Sequence, residues 1–333
     1  MLGAEERQLV QQVVRGGLPL LRRSAMMRLL PAVVLVAALS SEARPRVTVV
    51  KSADLGPYSQ VTAGFSAEVK ADVTDLLLEE GADAAQKAMK KLAQDPPALV
   101  LAIGPAAAVN ARRQFSDVPI VFVMVPYFQK YDLESSNTTG IALTSDLTLE
   151  LTALRTLLPK VKRVGIVYDP RFSKAFIDEA TQLAQSRSLS LVGIEIDNPT
   201  KLDKALAGAK GRIDALVVMS DKTVGNAAVV ERMLSFSREE SLPVVGLAPA
   251  QVKQGALFAL SPAPLSVGLQ AGRVANRIVV EKVDPGALAV ATPEGVELHV
   301  NLQAARRLGL PDTFSHDVLL FGARQNLSVK AVE

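Results

Sequence analysis

Short apolar runs alternate with helix-patterned stretches on both sides of one segment, residues 139–176, and no other feature of the chain limits its fold as much. The segment reads TGIALTSDLTLELTALRTLLPKVKRVGIVYDPRFSKAF. Its pattern predicts a strand at 139–142, a hinge-like stretch at 143–147, a helix over 149–158 ended by Pro159, and a buried strand at 163–168. Upstream, strands are expected at 46–51, 73–78, 98–103 and 119–125. Helices are expected at 59–69, at 82–94 and from Gly104-Pro105 onward, where proline suits a first helical turn. Downstream, strands at 189–196, 213–219, 243–247 and 256–260 alternate with helices at 173–186, 200–209 and 226–239. The run 98–103 (ALVLAI) is apolar throughout, as in a strand covered on both faces. Such alternation predicts the α/β class with parallel, doubly wound sheets in two similar lobes joined at a waist. Helix 265–280 carries Gly268, Ala271, Gly272 and Ala275, a small-residue stripe that permits close packing, and is expected to return to the first lobe. A strand at 297–300 and a helix at 302–308 finish the second lobe; the tail after Phe314 is weakly patterned, 318–321 can pack, and the last few residues are expected to fray.

Composition removes several functions. The chain has 333 residues, 49% hydrophobic and 21% charged, which fits two globular lobes and not a disordered segment. Aromatics are 4% and tryptophan is absent, which argues against base stacking on single-stranded nucleic acid. The pI is about 9.0, yet the net charge is only +3. Residues 1–43 hold five arginines against three glutamates, +2, which leaves +1 for the rest and no electrostatic basis for nucleic-acid binding. Without cysteine there is no disulfide, thiolate metal site or cysteine nucleophile. His299 and His316 are far apart and no cluster of ligands surrounds either, so neither a metal nor another cofactor is expected. No nucleophile elbow, Walker loop or dinucleotide fingerprint stands in its required context, so an enzyme is not expected.

The first 43 residues look like an export signal. Arg22, Arg23 and Arg28 precede the apolar run 29–39 (LLPAVVLVAAL), and Ser40, Ser41, Glu42 and Ala43 follow as a cleavage region. Eleven apolar residues are short for a bilayer span, although an uncleaved anchor is the alternative. Residues 1–25 read as an upstream start, with initiation at Met26 or Met27.

In open α/β sheets ligands sit outside the carboxyl ends of the strands. That rule selects the loops 52–58, 104–107, 125–128, 169–173 and 220–224. Ser52 and Gly104 stand at helix starts, where N–H groups and the helix dipole favour a carboxylate. Asp221, and next Asp169, could receive an ammonium, with Thr223 in the same loop as Asp221. Tyr58, Tyr127 and Phe172 could wall a planar or apolar group. Together they suit a zwitterion. The same residues also fit plainer roles: capping or turns for Ser52 and Asp169, a tight turn for Gly104, and ordinary packing for Tyr127 and Phe172.

Several motifs occur in order: TG before a leucine-rich helix, LLPKVKRVGIVYDP, IDALVVMSDKTV, LPVVGL, GALFALSP, VGLQAGRVANRI and LHVNLQAARRLGL. Over residues 45–312 the chain resembles the ABC-transporter substrate-binding family that includes periplasmic tryptophan- and tyrosine-binding proteins. The resemblance implies the type I periplasmic-binding-protein fold, with three hinge crossings and a ligand between the lobes. It also implies an extracytoplasmic location and an ABC permease as partner, and the receptor is expected to be a monomer. Two segments depart from the family. Val125-Pro126-Tyr127-Phe128 stands where many members have a Thr-Asp-Pro type segment, and Lys222 follows Asp221 where aromatic-ligand members often have asparagine. The expected solute is therefore an amino acid or similar zwitterion, with a sugar, nucleoside or peptide fragment as other possibilities. The expected division is an N-lobe of 44–143 plus 262–282, a C-lobe of 144–261 plus 283–314, and a tail of 315–333. A sensory subunit that signals to a membrane receptor is the alternative. A sugar-repressor-like regulator would need an N-terminal helix-turn-helix that residues 1–43 do not offer.

Overall fold

The computed structural model describes residues 44–126, 128–133, 135–143, 147–219 and 221–332. The expected export segment 1–43, Tyr127 and most of the hinge-like stretch lie outside the described residues. Two sheets organise the rest. The first holds β1 (Arg46–Lys51), β2 (Asp72–Leu77), β3 (Leu99–Ile103), β4 (Ile120–Val123) and β5 (Thr138–Gly140), all parallel, in the spatial order β2-β1-β3-β4-β5. The second holds β6 (Arg163–Tyr168), β7 (Ser190–Glu195), β8 (Ala215–Val217), β9 (Val244–Gly246), β10 (Phe258–Pro262), β11 (Val296–Asn301) and β12 (Ser328–Val332). Its order is β12-β11-β10-β9-β8-β6-β7, parallel except for the antiparallel β10–β11 pair. Up to β10 the two sheets share one order: second strand, first, third, fourth, fifth. Each half thus reverses direction between its first and third strands, the place where open α/β sheets leave a crevice.

The helices cover these sheets. In the first half they are α1 (Gly56–Glu68), α2 (Ala82–Leu92) and α3 (Pro105–Gln114). The second half has α4 (Leu147–Leu157), α5 (Pro170–Gln185), α6 (Leu202–Ala209), α7 (Ala227–Glu240) and α8 (Pro249–Lys253), followed by α9 (Pro264–Val279), α10 (Leu302–Arg307) and α11 (Phe314–Arg324). Proline stands in the first turn of α1, α3, α5, α8 and α9, where the missing N–H is no loss. Every residue of β3 is buried, as the continuous apolar run predicts.

Helix α9 follows a strand of the second sheet but packs on the first. Its Val267, Ala271, Ala275 and Ile278 join Val47, Val61, Phe65 and Leu101 in one apolar core. Gly64 and Gly268 allow this approach. A Cβ on Gly268 would collide with the Val61 carbonyl, and one on Gly64 with that of Leu265. The chain then stays with the first half. Gly286 N–H donates to Ser136 O at 2.8 Å, Thr139 Oγ1 to Leu288 O at 2.9 Å, and Ala291 N–H to Gly140 O at 2.9 Å. Residues 286–291 thus run along the β5 edge of the first sheet. The return crossing is held by buried Gln270, whose Nε2 donates to Thr292 O at 2.8 Å and whose Oε1 accepts from Glu294 N–H at 3.1 Å.

The tail packs at 318–321 as expected, and its last described residues form a strand instead of fraying. Phe314, Val318 and Phe321, spaced for one helix face, are buried in the core of the second half. After α11, β12 pairs with β11 from Glu297–Ser328 to Asn301–Val332.

Candidate functional site

The two reversal points bring the residues singled out from the sequence into two groups. In the first half, Ser52 ends β1, and its N–H donates to Ile103 O at 3.0 Å. Ser52 Oγ accepts from Ala107 N–H at 2.8 Å, so the hydroxyl caps α3 from a neighbouring strand end. Gly104, at φ 89°, lies in the left-handed region that favours glycine. A Cβ there would collide with the Tyr58 hydroxyl and stand 2.8 Å from Ser52 Oγ. Tyr58 has a buried body, and burial pushes its pKa up. Among the described residues its hydroxyl has no hydrogen-bond partner, so Ser52, Tyr58 and Gly104 form one polar corner. Tyr127, from the loop after β4, lies outside the described residues. That loop opens at Met124, which takes φ 55°, an unusual conformation for a side chain of this size. A 3₁₀ turn (Phe128–Tyr131) follows.

In the second half, β6 and β8 deliver Asp169 and Asp221, which are 0% and 2% exposed. Asp169 caps α5, and its Oδ1 accepts from Arg171 N–H at 3.0 Å. Arg171 also grips the carboxylate with Nε at 3.0 Å and Nη2 at 2.6 Å, and Thr223 Oγ1 donates to Oδ2 at 2.6 Å. The Arg171 guanidinium holds this carboxyl far below the usual carboxylate range, and the Thr223 bond adds to the effect. Asp221 Oδ1 accepts from Thr223 N–H at 2.7 Å and Val224 N–H at 3.2 Å. Its Oδ2 accepts from Asp169 N–H at 3.2 Å and from the Ser173 hydroxyl. A carboxylate offers about four lone-pair directions, and all four have protein donors here. An ammonium at Asp221 would have to displace one of them.

What remains exposed on this wall is aromatic and positive. Phe172 is 52% exposed. The Arg171 guanidinium carbon lies 5.4 Å and the Lys222 ammonium 5.0 Å from its ring centroid. Lys130, on the 3₁₀ turn of the first half, lies close enough to interact with both Asp221 and Lys222. Burial lowers its pKa, Asp221 opposes that shift and Lys222 adds to it. Lys130, Arg171, Ser173 and Lys222 escaped the sequence reading. Ser173 was legible only as the fifth residue of a helix-start loop, Lys130 as ordinary surface charge, and Lys222 only as a departure from the family pattern. Among the described residues no group of acids and histidines could hold a metal, and no helix is long and apolar enough to cross a membrane.

Comparison with known proteins gives the fold and site a family. The model of the family described as ABC transporter substrate binding protein matches residues 71–323. The chain belongs to that family. This substrate-binding protein is 24% identical over 251 residues to the tyrosine-binding protein of Clostridioides difficile (strain R20291), a match that covers 72% of this chain and 71% of that one. Among solved structures it resembles a ligand-free, open substrate-binding protein with adhesive properties from Clostridium difficile. That match has a TM-score of 0.68 at 20% identity and covers 87% of this chain and 100% of the other. It also resembles the ABC domain in complex with L-Trp from Streptococcus pneumonia, with a TM-score of 0.57 at 16% identity over 86% and 100% of the two chains. The fold is the two-lobed type I periplasmic-binding-protein fold that the ordered motifs implied. Members of the family bind a small solute and work with an ABC permease outside the cytoplasm.

Proposed function

We propose that this protein is the extracytoplasmic solute receptor of an ABC importer and closes its two lobes on a small carboxylate-bearing solute, an amino acid or similar zwitterion. The observation that carries the proposal is the pair of matching reversal points. One presents the Ser52, Tyr58 and Gly104 corner, the other Phe172 and Thr223 over the buried Asp169 and Asp221. The relatives named for tyrosine and solved with L-Trp support the same solute class. In this arrangement the Tyr58 hydroxyl and the N-terminus of α3 offer hydrogen-bond donors to the ligand from the first lobe. Phe172 takes its planar or apolar part. Asp169 and Asp221 hold the second-lobe loops in shape, and Asp221 adds negative field for an ammonium. Crossing segments absorb the rotation of closure. Residues 1–43 direct export, and the receptor acts as a monomer that hands its ligand to the permease.

The test is a melting-temperature screen of the compact unit 44–333 against amino acids, aromatic compounds, sugars and nucleosides. A ligand of the folded state stabilises it by about 2.7 kcal/mol at a hundredfold excess over Kd. The expected result is a selective rise with an amino acid, weakened by Tyr58→Phe. No rise with any compound, in folded protein free of co-purified ligand, would reject solute binding.

A further inference from the structure

We propose that the cleft recognises its ligand's acid group through Lys222 and its planar body through Phe172, so that a small planar organic acid binds with no need of an amine. The inference rests on the solute-binding role proposed above and names the chemistry that role selects.

The charges on the second-lobe wall decide the matter. Its two acids are buried and engaged. Asp169 is gripped by Arg171 and Thr223, and Asp221 by two backbone N–H groups of its own loop, Asp169 N–H and Ser173. An ammonium arriving there would have to break bonds inside the loop. The exposed charges against Phe172 are the cations Arg171 and Lys222, and the exposed Asp197 carboxylate beyond Arg171 is paired with Lys201 at 2.7 Å. Arg171 is committed, because its guanidinium also donates to Asp197 O at 2.5 Å. Lys222 is not: among the described residues its ammonium contacts only the Phe172 ring, 5.0 Å from the centroid.

That contact has the character of a resting position. An exposed cation–π contact is weaker than a charge-assisted hydrogen bond to a carboxylate. An acid entering the cleft draws the ammonium off the ring and uncovers the aromatic face beneath it. The ligand's planar body then takes that face, so one movement of Lys222 opens both contacts. Lys130 strengthens the case from the other lobe. Its ammonium lies within electrostatic reach of Lys222. Like charges brought together by closure repel, and an anion between them turns that repulsion into a bridge. The contrary feature is Asp54, an exposed acid on the loop after β1, which an amine could use.

The experiment titrates the purified full chain with 4-hydroxyphenylacetate, tyramine and L-tyrosine by calorimetry, beside the broad solute screen. These probes carry the acid alone, the amine alone and both. The acid and the zwitterion are expected to bind and tyramine to fail. Lys222→Gln should weaken the acid tenfold or more, Lys222→Arg should recover most of that loss, and Asp54→Asn should leave it unchanged. Unfolding midpoints of the variants, measured without ligand, separate lost binding from lost fold. Binding of tyramine and tyrosine but not the acid, lost in Asp54→Asn, would overturn the proposal. So would an unchanged Kd in Lys222→Gln. If another solute class from the screen binds and no planar acid does, the receptor role stands and this inference falls. If nothing in the screen binds, both fall.

Discussion

Asp169 and Asp221 share Thr223, which donates its hydroxyl to one carboxylate and its N–H to the other. Both groups are buried, so removing an acceptor strands donors away from water. Asp221→Ala is expected to cost about 3 kcal/mol, the upper end for an unsatisfied buried group, and to do so without any ligand. Urea unfolding of the ligand-free protein measures it. A residue that served only the ligand would leave that stability unchanged. Asp169 adds a pH dependence with a definite sign. Its folded pKa lies below the unfolded value of about 3.9. The stabilisation is complete above that value and is lost as pH falls below it towards the folded pKa. Unfolding midpoints from pH 6 to pH 2.5 should therefore fall more steeply below about pH 4 in the wild type than in Asp169→Asn. At Gly104 the φ of 89° and the Tyr58 hydroxyl both exclude a side chain. Gly104→Ala is expected to cost about 1–3 kcal/mol and to disturb the polar corner, seen as a lower melting temperature with weakened ligand response.

Among the elements, α1 and α9 pack backbone to backbone, and the residues responsible are glycines. The small-residue stripe of α9 was visible in the sequence. Its counterpart Gly64 was not, because α1 carries no such stripe and one glycine has no period. Gly268→Ala would press a methyl against the Val61 carbonyl and the Phe65 N–H. Backbone cannot swing aside as a flexible side chain does, so the loss should reach about 3 kcal/mol, the upper range for overpacking. Thermal unfolding of the variant checks this. The chain end teaches the opposite lesson. The apolar residues at 318–321 were legible as a packing segment, yet β12 (SVKAV) is too short and mixed to announce a strand. It becomes one because β11 offers an open edge. Deleting 325–333 would expose that edge and the Val329 contact with Gly322. The truncated protein should melt lower and aggregate more readily in light scattering during heating.

For the whole molecule, the shared strand order gives two matching reversal points, the proposed walls of the ligand cleft. Closure around a solute predicts a smaller radius of gyration by small-angle scattering when a binding ligand is added. An unchanged radius at saturation would argue against hinge closure. The alternation of strands and helices, the two-half rhythm and the loops that line the reversal points were all determined by the amino-acid order alone. They are local: apolar period, proline at helix starts and glycine at a left-handed turn act over a few residues. Tertiary structure decided the rest. Which strands become neighbours, that residues 286–291 run along the first sheet, and that Asp169 N–H and the Ser173 hydroxyl reach Asp221 all depend on groups far apart in the chain. Asp221 looks like an open acid in the sequence because Ser220 and Lys222, which flank it, do not announce its partners. Asp169 and Ser173, about fifty positions earlier, reach it only because β6 and β8 lie side by side.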